Sequence, residues 1–281
     1  MAGTAAGGSR RNPIAPYLLV APGMLWLIVF FVVPLITLGK TSVAVQNAPW
    51  WDGFQRAFTT YGVHFFRSIR YAFTATIFAI ALGYPLAYFM AFRSGRFKNL
   101  LLGLVILPFF TTFLVRTFAW KTILNDGGPA VALLTWLHVL PEGGRLLDTW
   151  VAVIGGLTYN FLPFMIMPIY VSLEKIDRRL MEAAQDLYSS PVRAFLKVVL
   201  PLSLPGVFAG SLLTFIPATG DFINAELLGS PNQRMIGTVI QNQFLQVRDY
   251  PLAASLSFVL MIVITIGVLA YARALGTEDL A

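Results

Sequence analysis

Two carboxylates interrupt a long apolar stretch in the C-terminal third of the chain. Asp221 and Glu226 are the only acidic residues between positions 204 and 228, a stretch long and apolar enough to cross a membrane. An acid inside a membrane span usually faces a partner or an aqueous path, because a charge in hydrocarbon is costly. We therefore expect Asp221 either to bind a cation or to pair with a base such as Arg116. Glu226 lies nearer the membrane surface, where it could be an ordinary interfacial acid.

Residues near Asp221, and in two other apolar stretches, have the chemistry to help it hold a cation. Pro217 and Gly220 predict a break in the helix just before Asp221, which would free backbone carbonyl oxygens. Trp120 and Tyr159 could supply aromatic faces, which attract ammonium groups through cation–π interactions. Carboxylates, free carbonyls and aromatic rings are together the groups that bind an ammonium ion in a protein.

A second chemically distinctive stretch, residues 174–205, is polar and densely charged, and we call it the charged segment. Its apolar residues first recur at helical spacing, at Ile176, Leu180, Ala183, Ala184 and Leu187. This pattern predicts an amphipathic helix with one narrow docking face. Ser190 and Pro191 then predict the cap and first turn of a second helix, which we expect Pro201 and Pro205 to interrupt.

Long apolar stretches must position these residues, and their lengths indicate six membrane-spanning helices. The expected spans are residues 17–38, 71–92, 99–120, 149–173, 204–228 and 251–274. Residues 130–140 are apolar over too short a length and predict an interfacial helix. Gly206 and Gly210 in the fifth span would permit either close approach of another helix or only local flexibility.

The composition supports a membrane protein and excludes several other classes. The chain has 281 residues, 57% of them hydrophobic and only 12% charged, whereas soluble domains carry about 25% charged residues. The net charge of +7 is explained by Lys and Arg beside membrane spans, so no nucleic-acid partner is expected. There is no cysteine, the two histidines are far apart, and the sequence contains neither an H-E-x-x-H motif nor a complete Walker loop. We therefore expect no metal site and no ATP site in this chain.

Charges beside the spans predict how the chain is oriented. Three cations, Arg93, Arg96 and Lys98, crowd the short turn between the second and third spans, and such turns are usually cytoplasmic. The sequence thus predicts an all-α integral membrane protein with six transmembrane helices and both termini inside. We divide it into a flexible basic tail (1–16), the first helix and external loop (17–66), a core of five helices including the charged segment (67–274) and a C-terminal tail (275–281).

The charged segment carries a recognisable motif. Glu182-Ala183-Ala184, followed at a fixed distance by Leu200-Pro201, resembles the EAA loop of ABC importer permeases. Val198 replaces the isoleucine of that motif, and Tyr188 stands where a glycine is expected. The resemblance implies that this cytoplasmic loop, between the fourth and fifth spans, contacts an ATPase. The residues implied in this coupling contact are Glu182, Ala183, Ala184, Asp186, Leu187, Tyr188, Leu200 and Pro201.

Motifs elsewhere extend the resemblance from about residue 17 to 273. They are Leu107-Pro108-Phe109, Arg116 with Ala119-Trp120-Lys121, Phe215-Ile216-Pro217, Gly220, Glu226-Leu227-Leu228-Gly229 and Arg248-Asp249-Tyr250-Pro251. Together they look like the permease subunits of spermidine/putrescine ABC importers. For such a polyamine, Asp221, Glu226, Tyr159 and Trp120 are the residues that we expect along the substrate path.

The family implies a larger assembly in the plasma membrane. This chain would be one permease beside a second homologous permease in the lipid bilayer, with a cytoplasmic ABC ATPase dimer that binds ATP and Mg²⁺ and an external substrate-binding protein. It would not itself be an enzyme or hold a cofactor. A permease of the same architecture for a sugar, an amino acid or another organic cation is the alternative, and a membrane enzyme or receptor is a remote one.

Overall fold

The structure is a computed structural model that describes residues 15–45, 49–177, 179–180 and 190–274, and it contains no β-strand in those ranges. Its α-helices are α1 (Ala15–Leu27), α2 (Val33–Val43), α3 (Asp52–Thr59), α4 (Gly62–Phe92), α5 (Lys98–Ile106), α6 (Phe113–Leu124), α7 (Pro129–Trp136), α8 (Trp150–Glu174), α9 (Pro191–Ala194), α10 (Leu200–Thr219), α11 (Ile223–Leu228), α12 (Ile236–Asn242) and α13 (Tyr250–Ala274). Wider π-helical turns join α1 to α2 (Ile28–Val32), join α9 to α10 (Phe195–Val199) and follow α12 (Gln243–Val247).

Five continuous helices are long and apolar enough to cross a membrane. They are Leu19–Val43, Gly62–Phe92, Trp150–Glu174, Pro191–Thr219 and Tyr250–Arg273. These helices confirm the all-α membrane architecture and match five of the six expected spans in position, although several begin earlier than the sequence predicts.

The third expected span, residues 99–120, is not one straight helix. Its two halves, Gly95–Phe110 and Phe113–Leu124, are bent by 97°, so the total is six spans only if this pair counts as one. The bend follows Pro108, which lies in a short 3₁₀ turn and cannot donate a backbone hydrogen bond. Thr112 then starts α6 afresh, since its Oγ1 accepts a hydrogen bond from Val115 N at 3.5 Å.

The fifth span also differs from its expected limits. Pro201 and Pro205 do not interrupt this span. One continuous helix runs from Pro191 to Thr219 and includes the π-helical turn Phe195–Val199. The hydroxyl of Ser203 donates to the Leu200 carbonyl at 2.9 Å and so satisfies one acceptor in this proline-containing turn. The expected break before Asp221 is confirmed, since α10 ends at Thr219 and α11 starts only at Ile223.

The core is built on α8, which packs against α4 and α10 and is the most buried of the spanning helices. Large apolar side chains from α8 fill it, namely Val153, Leu157, Met165, Ile166, Ile169 and Leu173. A second cluster joins α3, α12 and α13 through Ala57, Ile236 and Leu256. The amphipathic α3 is therefore packed onto the bundle, whereas the apolar side chains along residues 19–43 are largely exposed, as expected for a surface that meets lipid.

Candidate functional site

Asp221 lies in the break between α10 and α11 and is buried, with 7% of its surface exposed. Its Oδ1 accepts a hydrogen bond from the backbone N–H of Asn224 at 2.8 Å. The carboxylate thus stabilises the first turn of α11, where a negative charge is favoured. Asp221 therefore has a structural role in the chain as well as the chemistry to bind a cation.

Arg116 on α6 is also buried, at 9% exposed, but it is not the partner of Asp221. No ion pair joins the two residues in the part of the chain that the structure describes. The guanidinium carbon of Arg116 lies 5.6 Å from the centre of the Phe113 ring, and its Nε and Nη1 make no hydrogen bond to the described residues. The alternative in which Arg116 neutralises Asp221 is not the arrangement found.

A fully buried polar cluster links three helices beside these charges. The side-chain amide of Asn160 on α8 donates to Thr117 Oγ1 on α6 at 3.3 Å and to Asn224 Oδ1 on α11 at 3.0 Å. Asn160 Oδ1 and Asn224 Nδ2 have no hydrogen-bond partner among the described residues. We call Thr117, Asn160 and Asn224 the polar cluster. Buried polar atoms normally have partners, so Asn160 Oδ1 and Asn224 Nδ2 are the unsatisfied hydrogen-bonding groups of the cluster.

None of Thr117, Asn160 and Asn224 was among the site residues expected from the sequence. One signal was available for position 224, because an acid at a predicted helix break can accept from the backbone N–H three residues later.

The two aromatic residues expected in the site do lie together. The rings of Trp120 on α6 and Tyr159 on α8 are 5.3 Å apart and meet edge to face. Phe113 and Phe161 form a second contact between the same helices, at 5.9 Å. The aromatic pair lies in the α6–α8 contact, which the polar cluster also joins. Neither Trp120 nor Tyr159 forms a hydrogen bond with Asp221 in the described part of the chain.

Glu226 lies apart from the buried groups. It is exposed on α11 and lines a small cleft between α11, α12 and the π-helical turn Gln243–Val247. The two carboxylates of the expected substrate path therefore have different environments in this chain, since Asp221 is buried and caps a helix whereas Glu226 is exposed.

Most of the expected coupling residues lie outside the described residues, namely Glu182, Ala183, Ala184, Asp186, Leu187 and Tyr188. The end of the charged segment is described, with Leu200 and Pro201 opening α10. Ser190 caps α9 as expected, since its Oγ accepts from Arg193 N at 3.3 Å.

Aromatic contacts anchor the second half of the charged segment to the core. The ring of Phe195 packs edge to face on Tyr84 and Tyr88 of α4, at 5.8 and 5.6 Å. Tyr84 also shares a 2.7 Å hydrogen bond with Ser203 of α10. A displacement of this half of the segment would therefore reach α4 directly.

Residues 83–275 match a family described as "Binding-protein-dependent transport system inner membrane component". The chain belongs to this family of importer permeases. It is 38% identical over 257 residues to the spermidine/putrescine transport system permease protein PotB of Escherichia coli K12, covering 89% of this chain and 94% of that one. It is 35% identical to the protein of the same name from Haemophilus influenzae, covering 89% and 90%.

Solved structures agree on the fold. The permease resembles a chain of a bacterial ABC transporter that imports the acidic polysaccharide alginate, with a TM-score of 0.69, 19% identity and coverage of 93% and 94%. At that identity the likeness supports the fold of the permease alone.

The residues that match the family include the main features of the fold and of the candidate site. Residues 83–275 of the permease include the bend after Pro108, the polar cluster, Asp221 and the whole charged segment. Membership and the apolar helices together make the protein a multi-pass component of the inner membrane, and its relatives are transport subunits rather than enzymes.

Proposed function

We propose that this permease imports polyamines such as spermidine and putrescine, forming the path across the membrane with a second, homologous permease. The observation that carries the proposal is the 38% identity to PotB over 89% of the chain. A cytoplasmic ABC ATPase dimer supplies ATP hydrolysis, and an external binding protein delivers the substrate. In this proposal the bent pair α5–α6 is the third of six spans, and both termini are cytoplasmic.

The described residues support a cationic substrate. Asp221 and Glu226 provide negative charge, the polar cluster provides carbonyl and hydroxyl oxygens, and Trp120 with Tyr159 provides aromatic faces. Ammonium groups are bound by these three kinds of group. We assign Asp221, Glu226, Trp120 and Tyr159 to the substrate path on this basis.

The function is tested by transport in a reconstituted system. The permease should be purified with the ATPase, second permease and binding protein of its importer, and placed in liposomes. We expect uptake of labelled spermidine or putrescine at least tenfold above that measured without ATP, and no comparable uptake of a sugar or an amino acid. ATP-driven uptake of a sugar or an amino acid, with none of either polyamine, would contradict the proposal.

We also propose that the charged segment couples the permease to the ATPase. The Phe195 contacts to α4 and the continuous helix from Pro191 to Thr219 give a stiff connection from this segment into the core. At its other end, Lys98 forms an ion pair with Glu174, which ties the start of α5 to the start of the segment. A segment held at both ends transmits a displacement that a free loop would absorb.

Glu182→Arg should uncouple the complex. Reversing the charge of the first residue of the EAA match would oppose a basic surface on the ATPase, so we expect the ATPase to dissociate or substrate-stimulated hydrolysis to fall at least tenfold. Glu142→Arg, at an exposed position in the 125–149 connection, is the matched control and should retain both properties. Normal ATPase attachment and stimulation in Glu182→Arg would refute the coupling role.

A further inference from the structure

The short helix α3 is amphipathic, and part of its apolar side is exposed. At 3.6 residues per turn, the apolar side carries Trp51, Gly53, Phe54, Ala57 and Phe58, and the polar side carries Asp52, Gln55, Arg56 and Thr59. Gly53 and Ala57 are buried in the bundle, whereas Trp51 and Phe58 are 50% and 67% exposed. The bundle therefore covers the small residues of this side and leaves its large aromatic residues exposed.

The exposed apolar surface extends to both neighbours of α3 in the chain. Trp50 is 59% exposed, and its ring meets that of Trp51 edge to face at 5.5 Å. Val43 at the end of the first span is also exposed, as are Val63 and Phe66 at the start of α4. Since both neighbours are membrane-spanning helices, α3 continues a surface that meets lipid.

The contact between α3 and α13 indicates the depth of α3 in the membrane. A Cβ at Gly53 would lie 2.4 Å from Ser255 Oγ, so α3 packs directly on that residue. Ser255 comes five residues after Tyr250, the first residue of α13, which corresponds to about 7 Å along the helix. Because α13 has 25 residues and about 20 are enough to cross the hydrocarbon, its first turn projects into the headgroups. Gly53 therefore lies near the boundary between headgroups and hydrocarbon.

The polar side of α3 is held at the end of α13. Arg56 forms ion pairs with Asp52 at 3.8 Å and with Asp249, the residue before α13, at 3.7 Å. These charges lie beyond the start of the spanning helix, where water and headgroups can solvate them. An interfacial amphipathic helix has this arrangement, with its apolar side buried about 5–10 Å in the boundary region and its polar side in water.

We propose that α3 is an interfacial anchor, in which Trp50, Trp51 and Phe58 bind lipid at the boundary between headgroups and hydrocarbon. Tryptophan is enriched at this level because its ring is largely apolar and its indole N–H can donate to headgroups and water. The anchor lies in the leaflet opposite the charged segment, since α4 starts beside α3 and ends just before Lys98, which pairs with Glu174. This inference does not depend on which solute the importer carries.

The anchor can be tested with single cysteines, because the chain contains none of its own. Phe58→Cys places an environment-sensitive fluorophore on the exposed apolar side of α3, and Gln55→Cys places it on the exposed polar side as the matched control. The complete importer is placed in nanodiscs that contain a phospholipid with a nitroxide quencher at headgroup level. We expect this lipid to quench the Phe58→Cys probe at least threefold more strongly than the Gln55→Cys probe, and dissolved iodide to show the reverse preference.

Two results would overturn the anchor. Iodide quenching of the Phe58→Cys probe as strong as that of the control would place the aromatic side of α3 in water. Shielding of the Phe58→Cys probe from both quenchers would show that another subunit of the importer covers it instead of lipid. If Phe58→Cys fails to assemble, Trp51→Cys serves as the second probe of the same side, and the same two results decide.

Discussion

Gly206→Val should prevent the permease from assembling its central helix pair. A Cβ at position 206 would lie 2.5 Å from the Cβ of Ser172 and 2.6 Å from the carbonyl oxygen of Pro168, both on α8. Backbone atoms cannot move aside as a flexible side chain can, so α10 would have to separate from α8. Overpacking a core costs about 1–3 kcal/mol for simple cases, and a backbone clash against α8, the most buried spanning helix, should cost more. We expect no folded, monodisperse protein by size-exclusion chromatography in detergent.

A matched substitution separates this clash from a general effect of valine in a membrane helix. Gly267 lies within α13, and a Cβ there would meet no atom within 4 Å. Gly267→Val should therefore express, fold and melt like the wild type. Gly206→Ala adds the same clashing Cβ without the two methyl groups of valine, so it should also be clearly destabilised, though less than Gly206→Val. If Gly206→Val and Gly267→Val melt alike, close packing at Gly206 does not stabilise the fold.

The role of Gly206 illustrates what the sequence could and could not predict. The spacing of Gly206 and Gly210 was visible, but flexibility and close packing have the same sequence pattern. The structure decides for packing, because a Cβ at Gly210 would also lie 3.0 Å from the Met165 carbonyl of α8. Which face of a helix meets which neighbour depends on the rotation of both helices, and apolar residues on every face leave that rotation unspecified.

The ends of helices and spans could be predicted from the sequence wherever a single local property determines them. Long apolar stretches fixed the position of most spans, since a bilayer requires about 20 apolar residues. The cap at Ser190 and the break after Thr219 followed from short-range chemistry. The bend after Pro108 could not be predicted from the sequence in this way, because membrane helices often accommodate prolines. The helix Pro191–Thr219 accommodates Pro201 and Pro205.

The candidate site was only partly predictable for a related reason. Asp221, Trp120 and Tyr159 stood out by residue type alone. The hydrogen bond between Asn160 and Asn224 joins positions 64 residues apart, and no local pattern indicates such a pair. The sequence suggested Arg116 as a partner for Asp221 because opposite charges in a membrane usually pair, whereas the structure caps α11 with this carboxylate instead.

Asp221→Asn should yield an assembled importer with polyamine uptake lowered at least tenfold. The asparagine side chain keeps an oxygen that can accept from Asn224 N, so the cap of α11 should survive. The negative charge is lost. A hydrogen bond to a charged group contributes about 1.5–3 kcal/mol, and each 1.4 kcal/mol corresponds to a factor of ten in affinity. The measurement is spermidine uptake into liposomes, normalised to the amount of intact complex.

Two further variants separate charge from structure at this position. Asp221→Leu removes the cap as well as the charge and should reduce assembly, because the buried N–H of Asn224 would lose its acceptor. Asp126→Asn neutralises an exposed acid that pairs with Arg145 and should leave uptake unchanged. Loss of assembly in Asp221→Asn itself would indicate that the carboxylate stabilises the fold by its charge. Normal uptake by an assembled Asp221→Asn complex would remove the residue from the substrate path and leave the exposed carboxylate, Glu226, as the remaining acid of that path.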